Sequence, residues 1–157
     1  MAISEDRFRQ ALGRFASGVT VVTTRDAGVP IGLTVSSFAS LSLDPPLILV
    51  AIDLRVRANA AISQAGAFAV NVLTAEQEHL SRQFATRDID RFAGVAWQPG
   101  AALGLPVLDG ALAQLECRLH QMLPGGDHTI FVGEVVAAQL GDATPLLYFR
   151  SAYRRLA

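Results

Sequence analysis

The chain has 157 residues, of which 51% are hydrophobic and 17% charged, and its formal net charge is −1. That length suits one domain, expected over residues 1–157 and large enough to bury its own core. The near-neutral balance, with no basic cluster beyond the terminal Arg154–Arg155 pair, argues against a nucleic-acid partner.

Few charges spread over the surface suit a chain that hides part of it in an oligomer or around a flat apolar ligand. The single cysteine, Cys117, excludes an internal disulfide. Met1 to Ser4 leads straight into Glu5 and Asp6, without the basic and apolar regions of a signal peptide. Apolar runs such as Leu47 to Ile52 fall far short of the roughly 20 residues of a membrane helix. A cytoplasmic protein without membrane spans is expected.

Ser4 is placed to cap a first helix, with Glu5 and Asp6 against its positive end. Phe8, Leu12 and Phe15 form one apolar stripe, which Gly18 ends. Val19 to Thr24 is a β-branched strand, and the "RDAG" turn leads to a second strand from about Ile31. Asp44-Pro45-Pro46 breaks the chain, because proline removes backbone donors and forbids helix. Leu47 to Ile52 is apolar on both faces and is expected to be a central strand covered on both sides.

A short helix near Arg57 to Gln64 and a strand at Phe68 to Leu73 follow. Thr74 with Gln77 forms a capping box for a helix carrying Leu80 and Phe84 on one face. Arg87 to Gly110 is rich in glycine and proline and is expected to be loop. From Ala113 the apolar Leu115, Cys117 and Leu119 alternate with Gln114, Glu116, Arg118 and His120, the pattern of a half-solvated strand. "PGGD" then turns the chain into "HTIFVGEVVAAQL", a hairpin, and a last strand is expected at Pro145 to Phe149. Strands dominate in antiparallel order, so the fold class is mainly antiparallel β, an α+β or barrel architecture with a few peripheral helices.

The common nucleotide fingerprints G-x-G-x-x-G and the P-loop are absent, as is the G-x-S-x-G elbow, and Cys117 with three scattered histidines gives no metal-ligand spacing. His79 and His120 sit among polar neighbours and read as solvated. His128 follows a Gly-Gly-Asp turn at the start of an apolar strand, where it is either a turn residue or a ligand-facing ring at a barrel rim. Cys117 reads as a small core residue, and Trp97 covers either an apolar surface or a partner.

The stretch Gly32 to Ile52 raises a sharper question, because Thr34, Ser36, Ser37, Ser40 and Ser42 stand where a structural strand favours valine or isoleucine. Such hydroxyls either satisfy irregular backbone at a strand end or line a wall for phosphate, ribityl or carbonyl oxygens. Arg57, Asn59 and Arg91 are further donors.

These segments taken in order, "FASGVTVVTT", "GLTVSSFASLSLDPPLILVAID", "FAVNVL", "LSRQFA", "DRFAGV", "LECRL", "GDHTIFVGEV" and "PLLYFRSAYRRL", resemble the small NAD(P)H:flavin oxidoreductases of the FMN-binding split-barrel type, often the reductase components of two-component flavin monooxygenases. The resemblance runs from about Phe8 to Leu156. It implies a split β-barrel, a homodimer, flavin (FMN or FAD) in a groove near the dimer interface, and NADH or NADPH as co-substrate. By the same resemblance Thr34, Val35, Ser36 and Ser37 lie along the isoalloxazine and ribityl chain, and Ser40, Leu41 and Ser42 reach toward the phosphate. Asp53 with Arg57, Ala58 and Asn59 closes the other side, while Phe84 and Arg91 approach the phosphate or adenylate end. His128 corresponds to the family histidine near the nicotinamide, with Tyr148 near the same pocket.

The chain departs from the family in two places. Where the family commonly has Thr-Ala-Asn-Ser, Ser36 removes an amide that both donates and accepts. After Asp53 the chain reads Leu54-Arg55-Val56-Arg57-Ala58, and an arginine there either clamps a phosphate or faces solvent. The implied reaction is hydride transfer from nicotinamide to flavin, with His128 orienting the nicotinamide and no general base required. The barrel is also compatible with an oxidase of the pyridoxamine-phosphate oxidase type or with a flavin-carrying electron-transfer protein.

Overall fold

The computed structural model describes residues 2–157. Its elements in chain order are helix α1 (Glu5–Leu12), strands β1 (Ser17–Gly18), β2 (Thr20–Asp26), β3 (Val29–Val35), β4 (Ala39–Leu43) and β5 (Pro46–Asp53), helix α2 (Arg57–Ala65) and strand β6 (Ala67–Val72). A 3-10 turn (Ala75–Gln77) and helix α3 (Glu78–Ala85) follow, then β7 (Trp97–Pro99), β8 (Pro106–Leu108), β9 (Ala113–Gly125), β10 (His128–Leu140), β11 (Leu147–Phe149) and β12 (Ala152–Arg154).

Seven strands form one antiparallel sheet in the order β3-β2-β6-β9-β10-β5-β4. No ladder joins the two end strands β3 and β4, although they are consecutive in the chain, so the curled sheet stays open along that seam. Ser37 bridges the seam: its hydroxyl donates to the Ala51 carbonyl (2.9 Å) and accepts from the Ala51 N–H (3.1 Å). The mainly antiparallel β class with a few peripheral helices is therefore as expected.

The core lies inside the curl. Val22, Val50, Ile52, Ile62, Phe68, Val70 and Phe131 form its main cluster, and Val21, Leu73, Phe84, Leu108 and Leu146 form a second beside α3. Burying one such side chain stabilises the fold by about 1.5–3 kcal/mol. The capping box stands as read, with the Thr74 N–H donating to Gln77 Oε1 at 3.0 Å, although it opens a 3-10 turn before α3 begins. "PGGD" makes the β9–β10 hairpin, with Gly126 at φ +67° in the left-handed region that glycine enters freely.

Several expectations are corrected. The Phe8–Leu12–Phe15 stripe is not a core face, because α1 buries no residue and these three side chains are 51%, 57% and 80% exposed. The helix ends at Gly13 rather than Gly18, which belongs to β1. Strand β5 is buried on one face only: Ile48, Val50 and Ile52 point inward, while Leu47, Leu49 and Ala51 stay half-buried. It is next to last in the sheet rather than central, with only β4 outside it.

Glu116 is not on a solvated face. It is 4% exposed, and its carboxylate accepts from the N–H groups of Ala102 (2.9 Å) and Leu103 (2.7 Å), holding the loop between β7 and β8. Those two short strands break up the expected loop. Trp97 packs edge-on against Phe92, so it covers this chain's own apolar surface. Cys117 is fully buried, and burial pushes its thiol up to about 12. His79 and His120 are exposed, as expected.

Candidate active site

A hollow of about 780 Å³ runs between the first half of β3 (Val29 to Gly32), the β5–α2 junction (Asp53 and Arg55 to Ala58) and the loop Arg87 to Phe92. Its size is within the range of roughly 300–1,000 Å³ typical of small-molecule sites. Gly32 keeps the β3 wall flat: a Cβ there would stand 3.0 Å from the Phe84 ring and 3.2 Å from Thr23. Phe84, fully buried, therefore backs this wall from the core side and does not line the groove.

Of the residues expected at a site, the fold brings Asp53, Arg57, Ala58 and Arg91 together around this hollow. Asn59 follows them in sequence but turns inward, donating to the Ile52 carbonyl and to Thr129 Oγ1, both at 3.0 Å. It fixes the start of α2 against β5. Arg57 pairs with Asp26 at 2.6 Å. Arg91 is committed to backbone: its Nε donates to the Thr86 carbonyl (2.9 Å) and its Nη1 to the Gly32 carbonyl (3.0 Å), tying the loop to β3.

The hydroxyl run divides by partner. Thr34 donates to the Ser81 carbonyl of α3 at 2.6 Å, and Ser37 is taken up at the seam. Val35 points into the core, and its carbonyl accepts from Thr20. Ser36, Ser40 and Ser42 make no side-chain hydrogen bond among the described residues, and Leu41 beside them is 50% exposed. Two of the five hydroxyls thus satisfy structure, and three remain available to a ligand.

His128 opens β10 directly opposite Asp53 on β5, at the edge of the groove. Its Nδ1 is bonded to Asp127 at 2.7 Å, an orienting partner the sequence did not single out. The carboxyl of Asp127 is held below the usual range, chiefly by that bond. Asp53 is held well below it too, first by the Arg55 side chain, then by the Arg55 N–H, with His128 adding a smaller attraction. Tyr148 sits elsewhere, on the three-stranded sheet β1-β11-β12, edge-on to Tyr153 at 5.2 Å. Tyr153 in turn shares a 2.6 Å hydrogen bond with Ser81, so Tyr148 connects to the Thr34 side of the molecule through α3.

Two further arginines line the groove: Arg55, from the arginine-bearing stretch after Asp53, and Arg87, which is not among the residues expected at a site. The sequence signal was present: Arg55-x-Arg57 and Arg87-x-x-x-Arg91 are two arginine pairs in polar loops. The groove thus presents guanidinium groups on two of its walls, Arg55 and Arg57 on one and Arg87 and Arg91 on the other, with the oriented ring of His128 beside the lining residue Asp53, a donor set that suits an anionic, phosphate-bearing ligand.

Residues 12–157 match the model of the flavin reductase like domain family. The chain is 44% identical over 153 residues to the reductase component of 4-hydroxyphenylacetate 3-monooxygenase from Thermus thermophilus, covering 97% of both chains. It is 46% identical over 148 residues to an FMN reductase (NADH), SmoA, of Agrobacterium fabrum, covering 94% of this chain and 84% of that one. Its fold superposes at a TM-score of 0.94, with 39% identity, on the Streptomyces globisporus NADH:FAD oxidoreductase SgcE6 solved with NAD and FAD fragments, covering 100% and 96% of the two chains. Sequence and fold agree over nearly the whole length, and the chain belongs to the flavin reductase like domain family.

Proposed function

We propose that this chain is an NADH-dependent flavin reductase, one domain over residues 1–157, that passes reduced flavin to a separate flavin-dependent monooxygenase. The observation that carries this is the full-length likeness to reductases whose names specify NADH with FMN in one case and with FAD in another, and to the reductase component of a two-component monooxygenase. The nicotinamide and the flavin supply the hydride chemistry themselves. The protein's part is to hold the two rings in register, exclude water and stabilise negative charge on the reduced flavin.

In this reading the unspent hydroxyls of Ser36, Ser40 and Ser42, with the backbone around Thr34, Val35, Ser37 and Leu41, form the flavin wall. Thr34 and Ser37 hold that wall in place, Asp53, Arg57, Ala58 and Arg91 frame the groove, and Asn59 and Phe84 support it from the core. His128, its ring fixed by Asp127, orients the nicotinamide.

A homodimer is part of the same proposal. Phe8, Leu12, Phe15, Leu41 and Leu43 are all at least half exposed, Leu43 at 97%, a share of bare apolar surface that a second copy would cover. No helix is long and apolar enough to cross a membrane among the described residues, and a cytoplasmic location is proposed.

The test is to follow NADH consumption under air with FMN or FAD added. Turnover with flavin supports the reductase, and tight flavin binding without turnover marks a flavin carrier instead. His128→Ala is expected to raise the KM for NADH about tenfold while flavin affinity changes little. An unchanged KM removes His128 from the nicotinamide site.

A further inference from the structure

Four guanidinium groups line the groove, and three of them are already engaged. Arg55 holds Asp53 through two bonds of 3.0 and 2.7 Å, Arg57 holds Asp26, and Arg91 spans two backbone carbonyls. Arg87 makes no hydrogen bond or ion pair among the described residues. Acidic neighbours are at hand in Asp88 and Asp90, yet neither takes it. Asp90 turns back to accept the Phe92 N–H at 3.1 Å, and Asp88 has a left-handed backbone (φ +58°).

The loop that carries Arg87 is held at both ends: at its start the Thr86 carbonyl accepts from Arg91 Nε at 2.9 Å, and at its finish Gln83 donates to the Arg91 and Ala93 carbonyls at 2.8 and 2.9 Å. Arg87 also lies close enough to Arg91 for its charge to lower the Arg91 guanidinium, after the larger effect of burial. Two like charges on one fixed loop, one half-buried and one unpaired, are relieved by an anion between them and the groove floor.

We propose that Arg87 is the specificity-determining cation of the groove, taking a phosphoryl group of the bound nucleotide, while Arg91 is the positioning residue that aims the loop. This rests on the reductase reading and assigns the contact to Arg87, whereas the family resemblance points to Arg91. Arginine suits the task because its planar fork meets two phosphate oxygens at once. The phosphoryl group belongs either to the flavin nucleotide or to the nicotinamide dinucleotide, and the two sources are separable with riboflavin, which has the same ring and no phosphate.

The experiment compares wild type, Arg87→Ala, Arg87→Lys and Arg57→Ala, each checked for an unchanged melting temperature. Affinities for FMN, FAD and riboflavin are titrated, and the KM for NADH is measured with riboflavin as acceptor. A loss of about tenfold for FMN and FAD in Arg87→Ala, with riboflavin unchanged and partial recovery in Arg87→Lys, assigns Arg87 to the flavin phosphate. Unchanged flavin affinities with an NADH KM about tenfold higher assign it to the dinucleotide. The proposal is overturned if Arg87→Ala changes none of these, if riboflavin weakens as much as FMN, or if Arg57→Ala produces the larger phosphate-dependent loss. If no flavin supports NADH consumption but FMN affinity still falls in Arg87→Ala, the reductase reading fails and the phosphate contact stands.

Discussion

The molecule has a second hollow of about 660 Å³, nearly the size of the groove, formed by Gln98 to Ala101, Val107, Asp109, Gly110, Gln114, Glu116 and Ala137 to Gln139. Both are lined by polar side chains, but they differ in how those side chains are used. In the second hollow Glu116 is spent on two loop N–H groups, Gln114 on the Leu108 carbonyl and Gln98 on Asp109. In the groove Arg87 has no such partner, and the ring of His128 is oriented by Asp127 at the edge. Volume therefore does not distinguish a site from a packing gap. What distinguishes them is whether the polar groups have already been satisfied by the chain.

The largest effect that tests this contrast is on stability. Glu116→Leu is expected to strip the Ala102 and Leu103 N–H groups of their acceptor and to destabilise the fold by roughly 2–4 kcal/mol, read as a lower melting temperature. Gly100 packs so closely on the carboxylate that a Cβ there would lie 2.3 Å from Glu116 Cδ, so no other residue fits without displacing it. Flavin affinity of the folded Glu116→Leu protein is expected to be unchanged. A flavin or NADH defect without a stability loss would make the second hollow a working site and erase the contrast.

Arg91→Lys is expected to be milder. Lysine keeps the charge but cannot hold the Thr86 and Gly32 carbonyls together, so the loop loosens and Arg87 loses its aim. Phosphate-dependent flavin affinity or the NADH KM should worsen by about threefold to tenfold, with kcat and melting temperature nearly unchanged. If kcat falls instead with KM unchanged, Arg91 acts in the hydride step and not through the loop.

How much of this was legible beforehand follows from the reach of each interaction. The Thr74–Gln77 box spans three residues and the hairpin turn before His128 only two, and both could be read from local residue types. Thr34 finds its partner 47 residues away and Arg91 59 residues away, so no window of sequence shows that one hydroxyl and one guanidinium are consumed by the fold. Glu116 misled for a related reason: strict alternation assigns it to solvent, and only the loop brought over it from residues 100–104 makes that face an interior. The apolar stripe of α1 had the right period, yet periodicity cannot say whether a face packs on its own chain or waits for another. The full set of segments carried the family; which arginine is free required the fold.

The smallest expected effect tests that last point from the opposite edge of the groove. Asp53 is held ionised below the usual carboxylate range, mainly by the Arg55 side chain. A carboxyl with a lowered folded-state pKa adds stability above its unfolded value of about 3.9, and this is lost as pH falls through the folded value. Because the pair is exposed and screened by salt, the change in melting temperature is expected to be slight, so the direct measurement is an NMR titration of the Asp53 side chain. In the wild type the carboxyl should still be ionised near about pH 3, whereas in Arg55→Ala it should titrate close to the ordinary value. An ordinary titration in the wild type would mean that Arg55 is not bound to Asp53 in solution. Arg55 would then be as free as Arg87, and the groove would offer an anion two competing cations instead of one.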